Sequence, residues 1–343
     1  MAFGARGIGD HLTCSSFVRN LAQNFPGAAV DFGAFSKIGV KLFKYNPYIR
    51  NIHLLDMGYL KLGGKYGFYD KIHYINAYRK IRYDAVYVLG SKFRHALFAY
   101  LTGARKRVGY RTYYRDFLLT KKSVEPVEKN VTERYLDLLI LDGLQVYDSN
   151  NDLFLTEKEN FAVDQIFQEH GVFDGDLTIA IAPFAAEMWR TWGLSRFWET
   201  AQHLINTRSR CKILILGSST DQAYLQSNPP PQHPSVVNLL GKLTILETAA
   251  AIKKSALFLG NDSGLGHIAG AVGTKALILG YYVTRVWHPI APNVRTIIKD
   301  VGCTTCNPCT HTGAQHLQCF SAISANEVVD ILTHMLNQNS AHQ

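Results

Sequence analysis

Short apolar runs recur along this chain, each followed by a stretch of helical periodicity, and that alternation restricts the fold to parallel βαβ units. In the first half the runs are Ala2-Phe3, Ala29-Val30-Asp31-Phe32, Ile52-His53-Leu54-Leu55, Ala85-Val86-Tyr87-Val88-Leu89 and Arg107-Val108-Gly109. In the second they are Thr178-Ile179-Ala180-Ile181-Ala182, Lys212-Ile213-Leu214-Ile215-Leu216, Val236-Val237-Asn238-Leu239, Ala256 to Leu259 and Ala276-Leu277-Ile278-Leu279. The first run is short, because a buried strand normally needs about five residues. At 343 residues the chain exceeds what one core usually serves, so two domains are expected. A helical pattern over Val131 to Leu141 ends at Gly143, and the polar stretch Asp148 to Asp152 follows. The expected domains are therefore residues 1–155 and 156–325, followed by a last helix within 326–343. Pro229-Pro230-Pro231 marks a surface loop between units.

Charge divides the halves. The net charge is +9, and residues 1–150 hold 23 Lys or Arg against 12 Asp or Glu, whereas residues 151–343 hold 13 against 15. The excess peaks between Lys61 and Arg115, where thirteen cations face only Asp70 and Asp84 and are interleaved with Tyr59, Tyr66, Phe68, Tyr69, Tyr74, Tyr78 and Tyr83. A solvated face, a nucleic-acid surface and a surface for anionic lipid head groups all remain open at this point. No apolar run approaches the roughly 20 residues of a membrane span, and no basic-then-apolar secretory signal opens the chain. A cytoplasmic protein is expected.

Two loops carry the chemistry. Gly260-Asn261-Asp262-Ser263-Gly264-Leu265-Gly266-His267 follows an apolar run and leads into a helix of small residues. Ser263 is placed to cap that helix, and the amides of its first turn form an anion site, best suited to a diphosphate. The same device opens the chain as Gly4-Ala5-Arg6-Gly7-Ile8-Gly9-Asp10-His11, and there the loop ends in a carboxylate. Capping alone would justify an aspartate at position 10. The glycines of this loop read G-x-x-G-x-G, not the G-x-G-x-x-G of dinucleotide-binding dehydrogenases.

These loops, together with Phe25-Pro26-Gly27-Ala28, Arg107-Val108-Gly109-Tyr110, Trp189-Arg190-Thr191-Trp192, His267-Ile268-Ala269 and Gly273-Thr274, resemble glycosyltransferase family 9, the ADP-heptose:lipopolysaccharide heptosyltransferases. The resemblance spans nearly the whole chain. It implies the α/β fold called GT-B, two doubly wound Rossmann-like domains facing across a cleft, with the last helix returning to the first domain. The activity it implies is transfer of heptose, with inversion, from ADP-L-glycero-D-manno-heptose to a lipopolysaccharide inner-core acceptor, Kdo-lipid A or a heptosylated core. Asp10 matches the family's proposed general base.

Arg190 stands where relatives carry Lys, and Gly193 where they carry Pro; arginine can hold diphosphate oxygens bidentately. A surface arginine stacked on Trp189 or Trp192 is the plainer reading of Arg190. Arg190, Asp221, Asp262, Ser263, Gly264 and His267 are the candidate donor contacts. Asp221 would stand near a ribose-binding Glu of relatives, Asp262 can instead bond its own loop amides, and His267 can instead be a core histidine. Lys92, Arg94, Arg105, Lys106 and Arg107 are the candidate acceptor contacts. No cofactor is required, ADP-heptose being a substrate, and the enzyme would work as a peripheral protein on the cytoplasmic face of the inner membrane without nucleic acid.

Cys303, Cys306, Cys309 and Cys319 form C-x2-C-x2-C-x9-C, with His311 and His316 between them. Ordinary reduced thiols are expected; a structural metal is the alternative. Cys14 and Cys211 read as core residues. The rival functions are a glycosyltransferase of the same fold with another donor or acceptor, a non-catalytic sugar-nucleotide-binding module, and a basic nucleic-acid-binding protein.

Overall fold

The computed structural model describes residues 1–4, 7–61, 65–111, 116–187, 190–281, 286–302 and 318–338. The chain divides into two units, Met1–Leu153 and Phe154–Gln343. Each is built on one six-stranded parallel sheet.

The first sheet contains β1 (Ala2–Phe3), β2 (Asp31–Ala34), β3 (Asn51–Leu54), β4 (Ala85–Val88), β5 (Lys106–Tyr110) and β6 (Lys121–Ser123), in the order β3-β2-β1-β4-β5-β6. The two-residue β1 is central. Ala2 and Phe3 pair with Phe32 and Gly33 on one side and with Tyr87 and Val88 on the other. The helices are α1 (Ile8–Leu12), α2 (Ser15–Asn24), α3 (Lys37–Leu42), α4 (Phe68–Ile81), α5 (Phe93–Leu101) and α6 (Val131–Leu141). Phe17, Val18, Leu138 and Leu139 build the core on one face of the sheet, and Tyr78, Ala96, Phe98 and Ala99 build it on the other.

The second sheet has the same topology. It contains β7 (Leu177–Ala182), β8 (Cys211–Ile215), β9 (Val236–Asn238), β10 (Leu257–Asn261), β11 (Ala276–Leu279) and β12 (Val294–Ile297), in the order β12-β11-β10-β7-β8-β9. Its helices are α7 (Glu157–Glu169), α8 (Leu194–Thr207), α9 (Gln222–Ser227), α10 (Ile245–Lys254), α11 (Gly264–Ala271), α12 (Gln318–Ser321) and α13 (Ala325–Asn337). The helix expected to return toward the first domain, α13, packs on α8 within the second unit. Its Val328, Leu332 and Leu336 recur every fourth residue and join that unit's core.

In both sheets the chain winds one way from one central strand and the other way from its neighbour. The switch points lie between β1 and β4 and between β7 and β10. Open parallel sheets bind ligands outside the carboxyl ends of strands at such points.

Candidate active site

In the first unit the loop after β1 leads directly into α1. Asp10 is not the cap of that helix but its third residue: the cap is Gly7, and Asp10 Oδ2 accepts the Gly7 amide at 2.9 Å. The carboxylate thus answers one of the unpaired amides of its own helix start. His11 is fully buried against Phe32 and Phe43, and its Nδ1 donates to the Gly7 carbonyl at 2.5 Å. Burial pushes His11 below the usual histidine range despite that bond and the Asp10 charge, so the ring beside Asp10 stays neutral at pH 7.

α1 stops at Leu12 and α2 starts at Ser15. Thr13 Oγ1 and Cys14 Sγ turn back onto the Asp10 carbonyl, at 2.8 and 3.3 Å, and draw the chain out of helical continuation.

Across the switch point, the loop after β4 carries Lys92, exposed at the cap of α5, and the half-buried Arg94. These two candidate acceptor contacts share the carboxyl edge with Asp10. Arg105, Lys106 and Arg107 do not. They enter β5, whose Lys106 pairs in register with Ala85, three residues (about 10 Å) before the strand's carboxyl end near Gly109. Lys106 is held by the buried carboxylate of Asp142 at 2.8 Å, and Arg107 donates to the carbonyls of Leu118 and Ala104. Their charges are engaged at the opposite edge of the sheet from Asp10.

In the second unit, three loops gather at the carboxyl edge. The loop after β10 caps α11 with Ser263, whose side chain makes no capping bond. Gly266 and His267 donate their amides to the Ser263 carbonyl, while the amides of Gly264 and Leu265, at the first two helical positions, have no acceptor within the helix. Gly266 allows the close seating of this helix on the sheet, since a Cβ there would meet Ile278 at 2.8 Å. His267 is buried, as the core reading expects. Asp262 donates its amide to the Leu279 carbonyl at 2.9 Å, tying its loop to the end of β11.

The loop after β7 carries Arg190. Its guanidinium lies 6.0 Å from the ring centre of Tyr281, which follows β11, and 3.6 Å from the Glu187 carboxylate. Trp192 is not the partner of Arg190: it is buried, donates through Nε1 to the Ile323 carbonyl, and lies under Arg196 instead. Trp189 lies outside the described residues. At Gly193, φ is +105°. Proline, locked near −65°, could not occupy that backbone, so the Pro implied by the resemblance does not fit this loop's exit into α8.

The residue that joins the two loops is Asn261. Fully buried, its Nδ2 donates to the Pro183 carbonyl at 2.7 Å and its Oδ1 accepts the Trp192 amide at 2.8 Å. Its place at the end of a strand in an Asn-Asp-Ser-Gly turn was the available signal. Asp221 lies farther along the same edge, after β8, two strand spacings or about 10 Å from β10. Its carboxylate accepts from the Ser218 amide and hydroxyl, holding its own turn.

Of the cysteine loop, residues 303, 306 and 309 lie outside the described residues, and Cys319 is buried in the second core. Cys14 and Cys211 are buried, as expected of core residues. Among the described residues no group of three or more metal-ligating side chains occurs. No helix among them is long and apolar enough to cross a membrane.

Two parallel Rossmann-like units, each with a glycine loop at its switch point, define the GT-B class of glycosyltransferases. A model of glycosyltransferase family 9 (heptosyltransferase) matches residues 73–315, and the chain belongs to that family. Lipopolysaccharide heptosyltransferase 3 of Escherichia coli K12 is 25% identical over 343 residues, covering 97% of this chain and 96% of its own. The solved structure of the E. coli ADP-heptose lipopolysaccharide heptosyltransferase II superposes with a TM-score of 0.78 at 21% identity, over 99% of this chain and 98% of its own. The iron-containing dodecameric glycosyltransferase TibC of enterotoxigenic E. coli H10407 superposes with a TM-score of 0.60 at 13% identity, over 98% of this chain and 75% of its own.

Proposed function

We propose that this glycosyltransferase moves heptose, with inversion, from ADP-L-glycero-D-manno-heptose to a lipopolysaccharide inner-core acceptor, Kdo-lipid A or a heptosylated core. The observation that carries this reading is the carboxyl edge of the second sheet, where a helix start with unpaired amides and the loop that carries Arg190 are joined by Asn261. That arrangement suits a diphosphate.

In the reaction, Asp10 takes the proton of the acceptor hydroxyl as its oxygen bonds to the anomeric carbon and the bond from that carbon to the diphosphate breaks. Such general-base help is typically worth 10²–10⁴-fold. Arg190 and the amides beside Ser263 and Gly264 stabilise the charge that grows on the departing ADP, one well-placed donor of this kind being worth about 3 kcal/mol. Asp262 supports their loop, Asp221 serves the ribose end, and His267 packs beneath. Lys92 and Arg94, which share an edge with Asp10, receive acidic groups of the acceptor. Because Arg190 and the helix start carry the leaving-group charge, the chemical step needs no metal. A metal at Cys303, Cys306, Cys309 and Cys319 would serve the fold only. The acceptor's lipid anchor makes the inner-membrane surface the place of work.

The test is to incubate the enzyme with ADP-heptose and a panel of truncated lipopolysaccharides and weigh the products. One added heptose on an inner-core acceptor is the expected result. Transfer from a different nucleotide sugar only, or retention on DNA that survives moderate salt with no transfer at all, would overturn it.

A further inference from the structure

We propose that the first turn of α4 is a docking surface for an anionic lipid bilayer, with Phe68, Tyr69 and Ile72 entering the head-group layer and a lysine rim holding the acidic surface. The inference rests on the proposed function only in the choice of membrane.

The basic, aromatic segment after residue 58 separates in the structure into two kinds of aromatic residue. Tyr59 is sandwiched between Tyr66 and Tyr74, with ring centres 3.6 and 4.1 Å apart and planes nearly parallel, and Tyr78 and Tyr83 are buried. These rings spend their faces on one another or on the core. Phe68 and Tyr69 meet edge to face at 5.9 Å yet stay open to solvent: they are 72% and 84% exposed, and Ile72, one turn on, is 42% exposed. Isolated apolar side chains on a surface are ordinary, but three within one helical turn form a patch.

Its mounting is stiff. Tyr66, in the stack, donates to Asp56, and Lys65 lies over the Tyr66 ring at 4.7 Å. Asp70, the one acid in the turn, accepts the Gly67 amide at 2.9 Å and so answers the positive end of its own helix.

Around the patch stand Lys61, Lys65 and Lys71, with Arg79 and Lys80 two to three turns farther along α4. Because α4 crosses from the end of β3 to the start of β4, its first turn lies at the carboxyl edge of the sheet, the edge that carries Asp10, Lys92 and Arg94. Aromatic and branched apolar tips ringed by lysines are the chemistry of a helix that lies on an acidic membrane. The same ring disfavours a second copy of this chain, since cations would face cations. A nucleic acid would ask for aromatic faces open to bases, and most of these faces are closed.

The experiment is co-sedimentation of the full chain with phosphatidylcholine vesicles, with and without about one third phosphatidylglycerol. Wild type is expected on the acidic vesicles only, and salt should release it. The variant Phe68→Ser/Tyr69→Ser/Ile72→Ser should lose binding about tenfold or more, and Lys61→Gln/Lys65→Gln/Lys71→Gln should weaken it and flatten its salt dependence. The substituted side chains are exposed except Lys71, which is half-buried and donates to the Lys61 carbonyl, so an unchanged melting temperature is the check that both variants fold.

Equal sedimentation of the apolar variant and wild type, or equal binding to neutral vesicles, would sink the proposal. So would a wild-type dimer that the apolar variant converts to monomer with vesicle binding intact, or oligonucleotide binding that the variant abolishes with vesicle binding intact. Transfer to a deacylated, water-soluble acceptor should be the same in both variants. A chain that transfers heptose yet ignores vesicles refutes the docking surface alone, and one that binds vesicles but transfers nothing refutes the proposed reaction alone.

Discussion

The loop into α1 and the loop into α11 are the same device, a glycine-rich turn from a central parallel strand into a helix, yet they are finished with opposite signs. In the first unit the device is answered from within: the Asp10 carboxylate takes the Gly7 amide. In the second unit Ser263 occupies the cap position without using its side chain, and the following amides stay open. A helix start that carries its own carboxylate repels anions, whereas one left open attracts them. One backbone geometry thus ends in a carboxylate at one switch point and in open amides at the other, and the identity of one or two side chains decides which.

The largest effect should come from removing the sign at the first loop. Asp10→Asn keeps an oxygen that can accept the Gly7 amide, so stability should fall by about 1 kcal/mol or less. The proton acceptor is lost, and kcat should drop at least about a hundredfold while ADP affinity stays unchanged. Near wild-type transfer by a folded Asn variant would remove the contrast between the loops.

Arg190→Ala tests the second loop. A loss of about 3 kcal/mol in kcat/KM is expected, with Arg190→Lys recovering most of it. If the Ala variant bound ADP as tightly as wild type and turned over normally, the cradle would lie elsewhere.

Next in size is a stability effect confined to the first unit. Burial would raise the Asp31 carboxyl, but its bonds from Arg50, His53 and Tyr83 outweigh burial and hold it at about 2. A carboxyl held below its unfolded value of 3.8 stabilises fully above that value and loses its contribution as pH falls through about 2. The contribution is about 2 kcal/mol, so Asp31→Asn should lower the melting temperature at pH 7 and remove most of the difference between pH 4 and pH 2. Parallel pH curves for the two proteins would contradict this account.

Neutralising Arg105, Lys106 and Arg107 together should destabilise the first unit, because Lys106 answers the buried Asp142. The acceptor KM should move by no more than about threefold, since these charges sit at the far edge of the sheet. A large rise in KM would return them to the acceptor site. The smallest effect of all is expected from a chelator, which should leave the initial rate of transfer unchanged. Immediate loss of turnover in a folded protein would give a metal the role assigned here to Arg190 and the amides.

Ten of the twelve described strands could be read from the sequence, and the two that could not are instructive. β6, Lys121-Lys122-Ser123, and β12, Val294-Arg295-Thr296-Ile297, are edge strands: half their pairing groups face away from the sheet, so no continuous apolar run is required of them. Central parallel strands are buried on both faces and announce themselves as apolar runs. The glycine loops were legible for a related reason, since close backbone approach admits few residue types. The charges of β5 were not, because the partner of Lys106 is Asp142, 36 residues away, and only the fold brings them together. Charge density in the sequence marked a basic half; whether a cation faces ligand or answers a buried acid depends on which end of its strand it occupies.

Asn261 has a thermodynamic consequence. Its two hydrogen bonds reach the two ends of the loop after β7, 78 and 69 residues away in sequence, and both bonds are buried. Pro183, Asn261 and Trp192 are therefore fastened to one another by the folding of the second unit, and the donor of the proposed reaction would meet main chain already ordered at these points. Binding of the nucleotide should show little of the unfavourable entropy that accompanies loop ordering. Cutting the tie with Asn261→Ala would move that entropic cost from the folding of the protein to the arrival of the donor.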